Sequence, residues 1–246
     1  MRSKSILRHL TPCLALLAPA LLPAIAAADG TCQAASGKTR PQVVELYTSE
    51  GCSSCPPADR WLSTLAGRDD VLAEAFHVDY WDYIGWKDRF ASPAYTERQQ
   101  QLRAVSGARF VYTPQIVVDG VDRAEPSRGR LPAKVEATLT REGSNYAAVV
   151  TPLAQAPSRL AAYWTLTESG HGSEVKAGEN AGSRLRHDFV VREYRPVAGW
   201  AAQAGSAQRL AFTPADAGDP AHPRQVNLVV IDAANGRPVQ AVRLGC

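Results

Sequence analysis

The run Val43-Val44-Glu45-Leu46-Tyr47-Thr48, followed by Ser49-Glu50-Gly51-Cys52-Ser53-Ser54-Cys55-Pro56-Pro57, leaves the chain little conformational freedom. Alternating apolar residues make a strand, and consecutive prolines fit a helix only within its first turn, where no intrahelical donor is lost. The stretch therefore predicts a strand that delivers a Cys-x-x-Cys to a helix start, with Cys52 at or near the N-cap. Cysteines at that spacing close a small disulfide ring, and the positive end of a helix dipole favours a thiolate. Redox chemistry is the first expectation, with Cys52 as the exposed, reactive thiol.

Ahead of this stretch, Arg2, Lys4 and Arg8 precede an apolar run from Leu10 to Ala28, broken by prolines and ending in small residues. That is the pattern of a secretory signal peptide over residues 1–28, cut after Ala26 or Ala28, rather than of a membrane anchor. The mature chain is expected to be periplasmic or secreted, with no membrane contact after cleavage. Losing three basic and no acidic residues takes the formal charge from +3 to zero, so there is no electrostatic case for nucleic acid. Once Cys13 leaves with the signal, Cys32, Cys52, Cys55 and Cys246 remain. In an oxidising compartment the simplest pairing is Cys52–Cys55 and Cys32–Cys246, the second joining the two ends of the mature chain; free terminal thiols are the alternative.

Along the strand, Glu45 shares a face with Val43 and Tyr47. Pointing inward it would lie beneath the disulfide as a buried proton acceptor for the second thiol; otherwise it is an edge or surface residue. Ala58 to Ala66 is the helix after the thiols, with Trp61, Leu62 and Leu65 as its core stripe. A second strand over residues 75–80 runs into Tyr80, Trp81, Tyr83 and Trp86, aromatics that either line a substrate groove or plug a domain interface. Ser92-Pro93 begins another helix, Pro114 precedes an apolar strand, Asp119-Gly120 turns into the next, and a helix is expected from Leu131 to Thr140. This order is an α/β sandwich around a mixed sheet, assigned to residues 29–142. Beyond it come short alternating runs punctuated by Gly, Pro, Asn and Asp, so residues 143–246 are expected to form an all-β, sandwich-like domain or to wrap onto the first sheet.

The stretch from Glu45 to Asp59, with His77-Val78-Asp79-Tyr80-Trp81-Asp82, Gly85-Trp86-Lys87-Asp88 and Tyr112-Thr113-Pro114-Gln115, resembles a family of bacterial secreted proteins with a thioredoxin-like fold and no assigned function. The resemblance runs from about residue 40 to the C-terminus. It implies that Cys52 attacks, Cys55 resolves, and Pro114 is a cis-proline that faces the disulfide and docks extended substrate backbone. It also implies a thiol-disulfide oxidoreductase that reacts through a mixed disulfide with protein thiols or disulfides and needs an unidentified recycling partner. Ser53-Ser54 between the thiols and Pro56-Pro57 after them depart from the wider superfamily and leave the direction of electron flow open.

Two other readings compete. A Cys-x-x-Cys supplies half of a zinc or copper shell, with His77, Asp79, His187 or His222 as further ligands, although no second such motif or paired histidines stand at ligand spacing. In the other, the disulfide is structural and the β half is a binding module, recognising a peptide or envelope component through Asn180, Arg186 and His187 of segment 178–188. The plain alternative for that segment is a solvated hairpin loop. No Ser-His-Asp spacing or phosphate loop supports a hydrolase or nucleotide enzyme, and no cofactor is expected.

Overall fold

The computed structural model describes residues 32–122, 125–215 and 218–246, so the signal peptide expected over residues 1–28 lies outside the described residues. The first half runs β1 (Gln33–Ala35), β2 (Thr39–Arg40), β3 (Gln42–Thr48), α1 (Pro56–Ser63), β4 (Val71–His77), α2 (Pro93–Ser106), β5 (Gln115–Val118) and β6 (Val121–Asp122). There follow β7 (Leu131–Pro132), β8 (Val135–Glu142), β9 (Asn145–Pro152), β10 (Arg159–Glu168), β11 (His171–Glu174) and β12 (Arg184–His187). The last elements are β13 (Val190–Ala201), β14 (Gln208–Phe212), β15 (Arg224–Asp232) and β16 (Pro238–Leu244).

Every residue of β3 and β4 is buried, which is the environment a parallel pair requires. They sit inside an eight-stranded mixed sheet of order β16-β15-β10-β13-β4-β3-β5-β6. The Asp119-Gly120 turn joins β5 to β6 as its sequence predicts, both residues having positive φ. The pleat of β3 separates two faces. Val44 and Leu46 pack with Leu62 and Leu65 near α1, whereas Tyr47 packs with Phe76, Val117 and Tyr95 of α2. Both caps of α2 follow the sequence: the Ser92 hydroxyl accepts from the Ala94 N–H, and Gly107 takes the left-handed conformation at the C-terminus.

Two expectations need correction. Residues 131–140 form strands, not a helix, because Val135, Ala137 and Leu139 bury on alternate positions: they belong to β8 of a second, four-stranded sheet of order β1-β8-β9-β14 and face the core it shares with β10, β15 and β16. Nor do residues 143–246 fold apart. Four of their strands extend the long sheet, β13 joining β4 in parallel at Val190 and Ala75, and the expected boundary falls in the tight turn between β8 and β9. The four-stranded sheet closes on Leu160, Trp164, Leu228 and Val242 of β10, β15 and β16, with Trp164 stacked on Phe212. The long sheet coils enough for Arg243 of β16 to reach the carbonyls of Arg68 and Val71 at 3.0 Å each.

Cys32 and Cys246 form a disulfide across 214 residues, with Cα atoms 6.3 Å apart. It ties the strand that edges the small sheet to the end of β16. Cys246→Ser is expected to lower unfolding stability by up to about 4 to 5 kcal/mol in the chain-entropy picture, checked by denaturant titration of the oxidised proteins.

Glu74 of β4 is fully buried, accepting hydrogen bonds from the Thr165 hydroxyl and from Tyr163 at 3.1 Å. Burial first, and the nearby Glu45 charge second, push its carboxyl up to about 7. A raised carboxyl favours the fold while protonated, so this contribution holds below the unfolded value near 4.5 and is lost as pH climbs through 7. Glu74→Gln is expected to flatten that decline, removing roughly 2 to 3 kcal/mol of pH dependence between pH 5 and 8 in melting experiments.

Candidate functional site

From the end of β3 the chain turns through Ser49-Glu50-Gly51, and the N–H groups of Cys52 and Cys55 donate to the carbonyls of Ser49 and Cys52, each at 3.2 Å. α1 then begins at Pro56 with Cys55 as its N-cap. The helix dipole therefore acts most directly on Cys55, and Cys52 stands three residues ahead of the cap, not on it. The two cysteines form a disulfide with Cα atoms 5.4 Å apart. Contrary to the expectation of an exposed first thiol, Cys52 is 1% and Cys55 0% exposed, while Ser53 and Ser54 between them face solvent.

The cover comes from the turn between β11 and β12. Asn180 Nδ2 donates to the carbonyls of Glu50 at 2.8 Å and Cys52 at 3.0 Å, and the Ser53 N–H donates to the Glu179 carboxylate at 3.0 Å. Gly178 lies with positive φ against Ile84 and Trp86, where a Cβ would come within 3.3 Å of Ile84. Internal hydrogen bonds from Gly182 to Val175 and from Ser183 to Asn180 hold this turn in shape. Asn180 and His187, expected as outward contacts, thus face inward, and of that trio Arg186 alone is exposed.

Glu45 is not beneath the disulfide. It lies on the α2 face of β3, where Arg98 grips its carboxylate at 2.7 and 3.2 Å and Tyr47 donates to it at 2.6 Å. The carboxylate on the α1 face is Asp59, 7% exposed and accepting from the Thr48 hydroxyl at 3.1 Å. It stands one turn after Cys55, and positions four apart share a helix face. Burial, opposed by the nearby His187 and His77, holds Asp59 above the usual carboxylate range. The sequence carried a signal for it, since Asp59 and Leu62 occupy i and i+3 on the buried side of α1.

Around these groups lies a buried charge cluster. His77 Nδ1 and Asp88 Oδ2 are 2.7 Å apart, and Asp88 also accepts from the N–H groups of Glu50 and Phe90 at 2.9 Å. Burial alone would lower His77, but the Asp88 charge and hydrogen bond win and raise it; His77 in turn holds Asp88 low against its own burial. Glu50 accepts from Trp86 Nε1 at 2.7 Å and has His187 Nε2 at 3.2 Å. These contacts with His187 and Trp86 outweigh burial and keep Glu50 ionised below the usual range.

Of the aromatics, Trp81 and Trp86 are packing residues rather than a groove. Trp81 donates to the Thr113 hydroxyl at 2.8 Å, and its Cβ would lie 3.0 Å from a side chain at Gly51. It thereby joins the loop before Cys52 to the cis Thr113–Pro114 peptide at the start of β5. Tyr83 is 83% exposed. Among the described residues no group of three or more His, Cys, Asp or Glu side chains has the arrangement of a metal site.

A mixed α/β fold holding a Cys-x-x-Cys disulfide at a helix start, closed over by a hairpin turn, is the class these observations define. The model of the family described as "Protein of unknown function (DUF1223)" matches residues 43–231, and the chain belongs to that family. The chain is similar in fold to the crystal structure of protein AGR_C_4864 from Agrobacterium tumefaciens, at 24% identity and TM-score 0.62 over 85% of this chain and 96% of that one. It is also similar to HBP35 of Porphyromonas gingivalis, at 15% identity and TM-score 0.55 over 84% of this chain and 75% of the other. No curated protein matches it.

Asn180→Ala deletes two of the three bonds that close the turn over Cys52, leaving Ser53 N–H to Glu179. Reduction of Cys52–Cys55 by dithiothreitol, followed by thiol trapping and mass spectrometry, is expected to speed up roughly tenfold. An unchanged rate would show that reductant reaches the disulfide without moving this turn.

Proposed function

We propose that this is an exported, thioredoxin-like protein that exchanges thiols and disulfides with other proteins of the cell envelope or medium through Cys52 and Cys55. The observation that carries the reading is the Cys52–Cys55 disulfide at the start of α1 with the buried Asp59 carboxyl one turn behind it. The thioredoxin-like assignment rests on the strand, Cys-x-x-Cys and helix sequence at β3 and α1, with β4 parallel and β5 antiparallel on either side of β3. The two disulfides argue for an oxidising compartment. Among the described residues no helix is long and apolar enough to cross a membrane.

In the oxidising direction a partner thiolate attacks the Cys52 sulfur, the Cys52–Cys55 bond breaks, and Cys55 leaves as a thiolate that takes a proton from Asp59. A second partner thiolate then attacks the partner's own sulfur in the mixed disulfide and releases Cys52, so the partner loses two electrons and this protein gains them. The reducing direction is the same path reversed, with Asp59 accepting the Cys55 proton as that thiol resolves the mixed disulfide. Pro114 is assigned to docking the partner backbone. A second dithiol or disulfide protein must restore the starting redox state in either direction.

A structural-disulfide reading has one observation in its favour, the burial of both cysteines beneath the Asn180 turn. Equilibration in glutathione buffers separates the two. A reversible couple between about −120 and −270 mV is expected, and a pair still oxidised below roughly −300 mV would make it a staple. With the fold checked by circular dichroism, Asp59→Asn is expected to slow exchange about 10- to 100-fold and to alter its pH profile, whereas a purely structural role would leave that profile in place.

A further inference from the structure

A groove of about 700 Å³ runs beside α1, lined by Arg60 and Ser63 of α1, Arg186 and Asp188 at the end of β12, Gln225 of β15 and Arg243 of β16. Several arginines elsewhere meet carboxylates: Arg40 with Asp119, Arg68 with Asp70, Arg98 with Glu45, Arg184 with Glu174 and Arg195 with Glu193. In the groove they do not. Among the described residues the side chains of Arg60 and Arg186 form no hydrogen bond or ion pair, and Arg243 spends two N–H groups on the neutral carbonyls of Val71 and Arg68. Against three guanidinium charges the lining holds one carboxylate, Asp188, with one oxygen taken by the Gly170 N–H at 2.9 Å. This is a local excess in a chain whose formal charge is only +3.

We propose that this groove docks an acidic segment of the protein that exchanges with Cys52, a statement of substrate class that rests on the exchange reading above. A guanidinium is a rigid fork that takes a carboxylate through two parallel N–H bonds, and three of them in one groove match aspartate and glutamate side chains along a peptide. The volume suits several residues rather than a single small anion. Its position relates it to the thiols. Arg60 lies five residues after Cys55, about 7.5 Å along the helix axis at ordinary helical rise. Arg186 follows Asn180 by six residues, on the strand that leads out of the turn covering Cys52. A segment held in the groove therefore lies along α1 from Arg60 towards the helix C-terminus, and at Arg186 it touches the hairpin that must shift for a partner sulfur to enter.

The test uses the mature oxidised protein and three reduced dithiol peptides with one reactive core, flanked by glutamates, serines or lysines. At low salt the acidic peptide is expected to reduce Cys52–Cys55 about three- to tenfold faster than the serine peptide and the lysine peptide slower, the differences shrinking at 0.5 M salt. Arg60→Glu combined with Arg186→Glu, neither residue belonging to the disulfide's own machinery, should reverse the order and leave the dithiothreitol rate unchanged. Calorimetry with a cysteine-free glutamate peptide on Cys52→Ser protein reads docking without redox chemistry, and the arginine double variant should weaken it by the same factor. Equal rates for the three peptides, or a preference that survives in the double variant, would overturn the groove. So would equal competition by inorganic phosphate at matched ionic strength, which marks a simple anion site. Failure to exchange with dithiothreitol as well would instead overturn the exchange reading beneath it.

Discussion

Glu50 holds the site together. A buried carboxylate kept ionised needs polar neighbours, and those of Glu50 come from different segments. Trp86 comes from the loop after β4 and His187 from the end of β12, while the Glu50 backbone gives its N–H to Asp88 and its carbonyl to Asn180. Through its side chain and its backbone, one residue thus brings the Cys52 loop, the segment around residues 82–88 and the β11–β12 hairpin to one point. Removing His187 alone would take from the ionised, buried Glu50 its Nε2 neighbour at 3.2 Å.

The pleat of β3 imposes a second order on the same region. Successive side chains go to opposite faces, which sends Glu45 to Arg98 and the tyrosines near α2, and Thr48 to Asp59 near α1. Two buried carboxylates thereby lie in different surroundings. Glu45 is neutralised by a guanidinium and serves as internal scaffolding, whereas Asp59 meets a hydroxyl and two histidines at a distance and is held partly towards its protonated form by burial. In the exchange proposed for Cys52 and Cys55, this is the carboxyl that trades a proton with the Cys55 thiol.

Much of the frame was legible in the chain itself. The alternation before Cys52, the paired prolines after Cys55, Ser92 at the start of α2 and Asp119-Gly120 between β5 and β6 each carry local backbone instructions, and each is in place. The stretch over residues 131–140 was misread because its apolar residues satisfy a helical stripe loosely and a period of two strictly; burial against β10 and β16 selected the strand. The turn-punctuated texture after residue 143 does specify strands but leaves open a separate domain or extension of the first sheet, and four strands take the second course, since a strand does not announce which sheet it will join.

The candidate site divides in the same way. The sequence alone determined the two thiols at a helix start and made Cys52–Cys55 with Cys32–Cys246 the simplest pairing, because these depend on spacing and on backbone geometry within a few residues or on counting. Only the tertiary structure decided that Cys55 and not Cys52 caps the helix, that Asp59 and not Glu45 lies on the disulfide's face, and that Asn180 shuts the site from 128 residues away. Those outcomes follow from pleat parity, burial and long-range hydrogen bonds, which exist only once separate segments have been packed together.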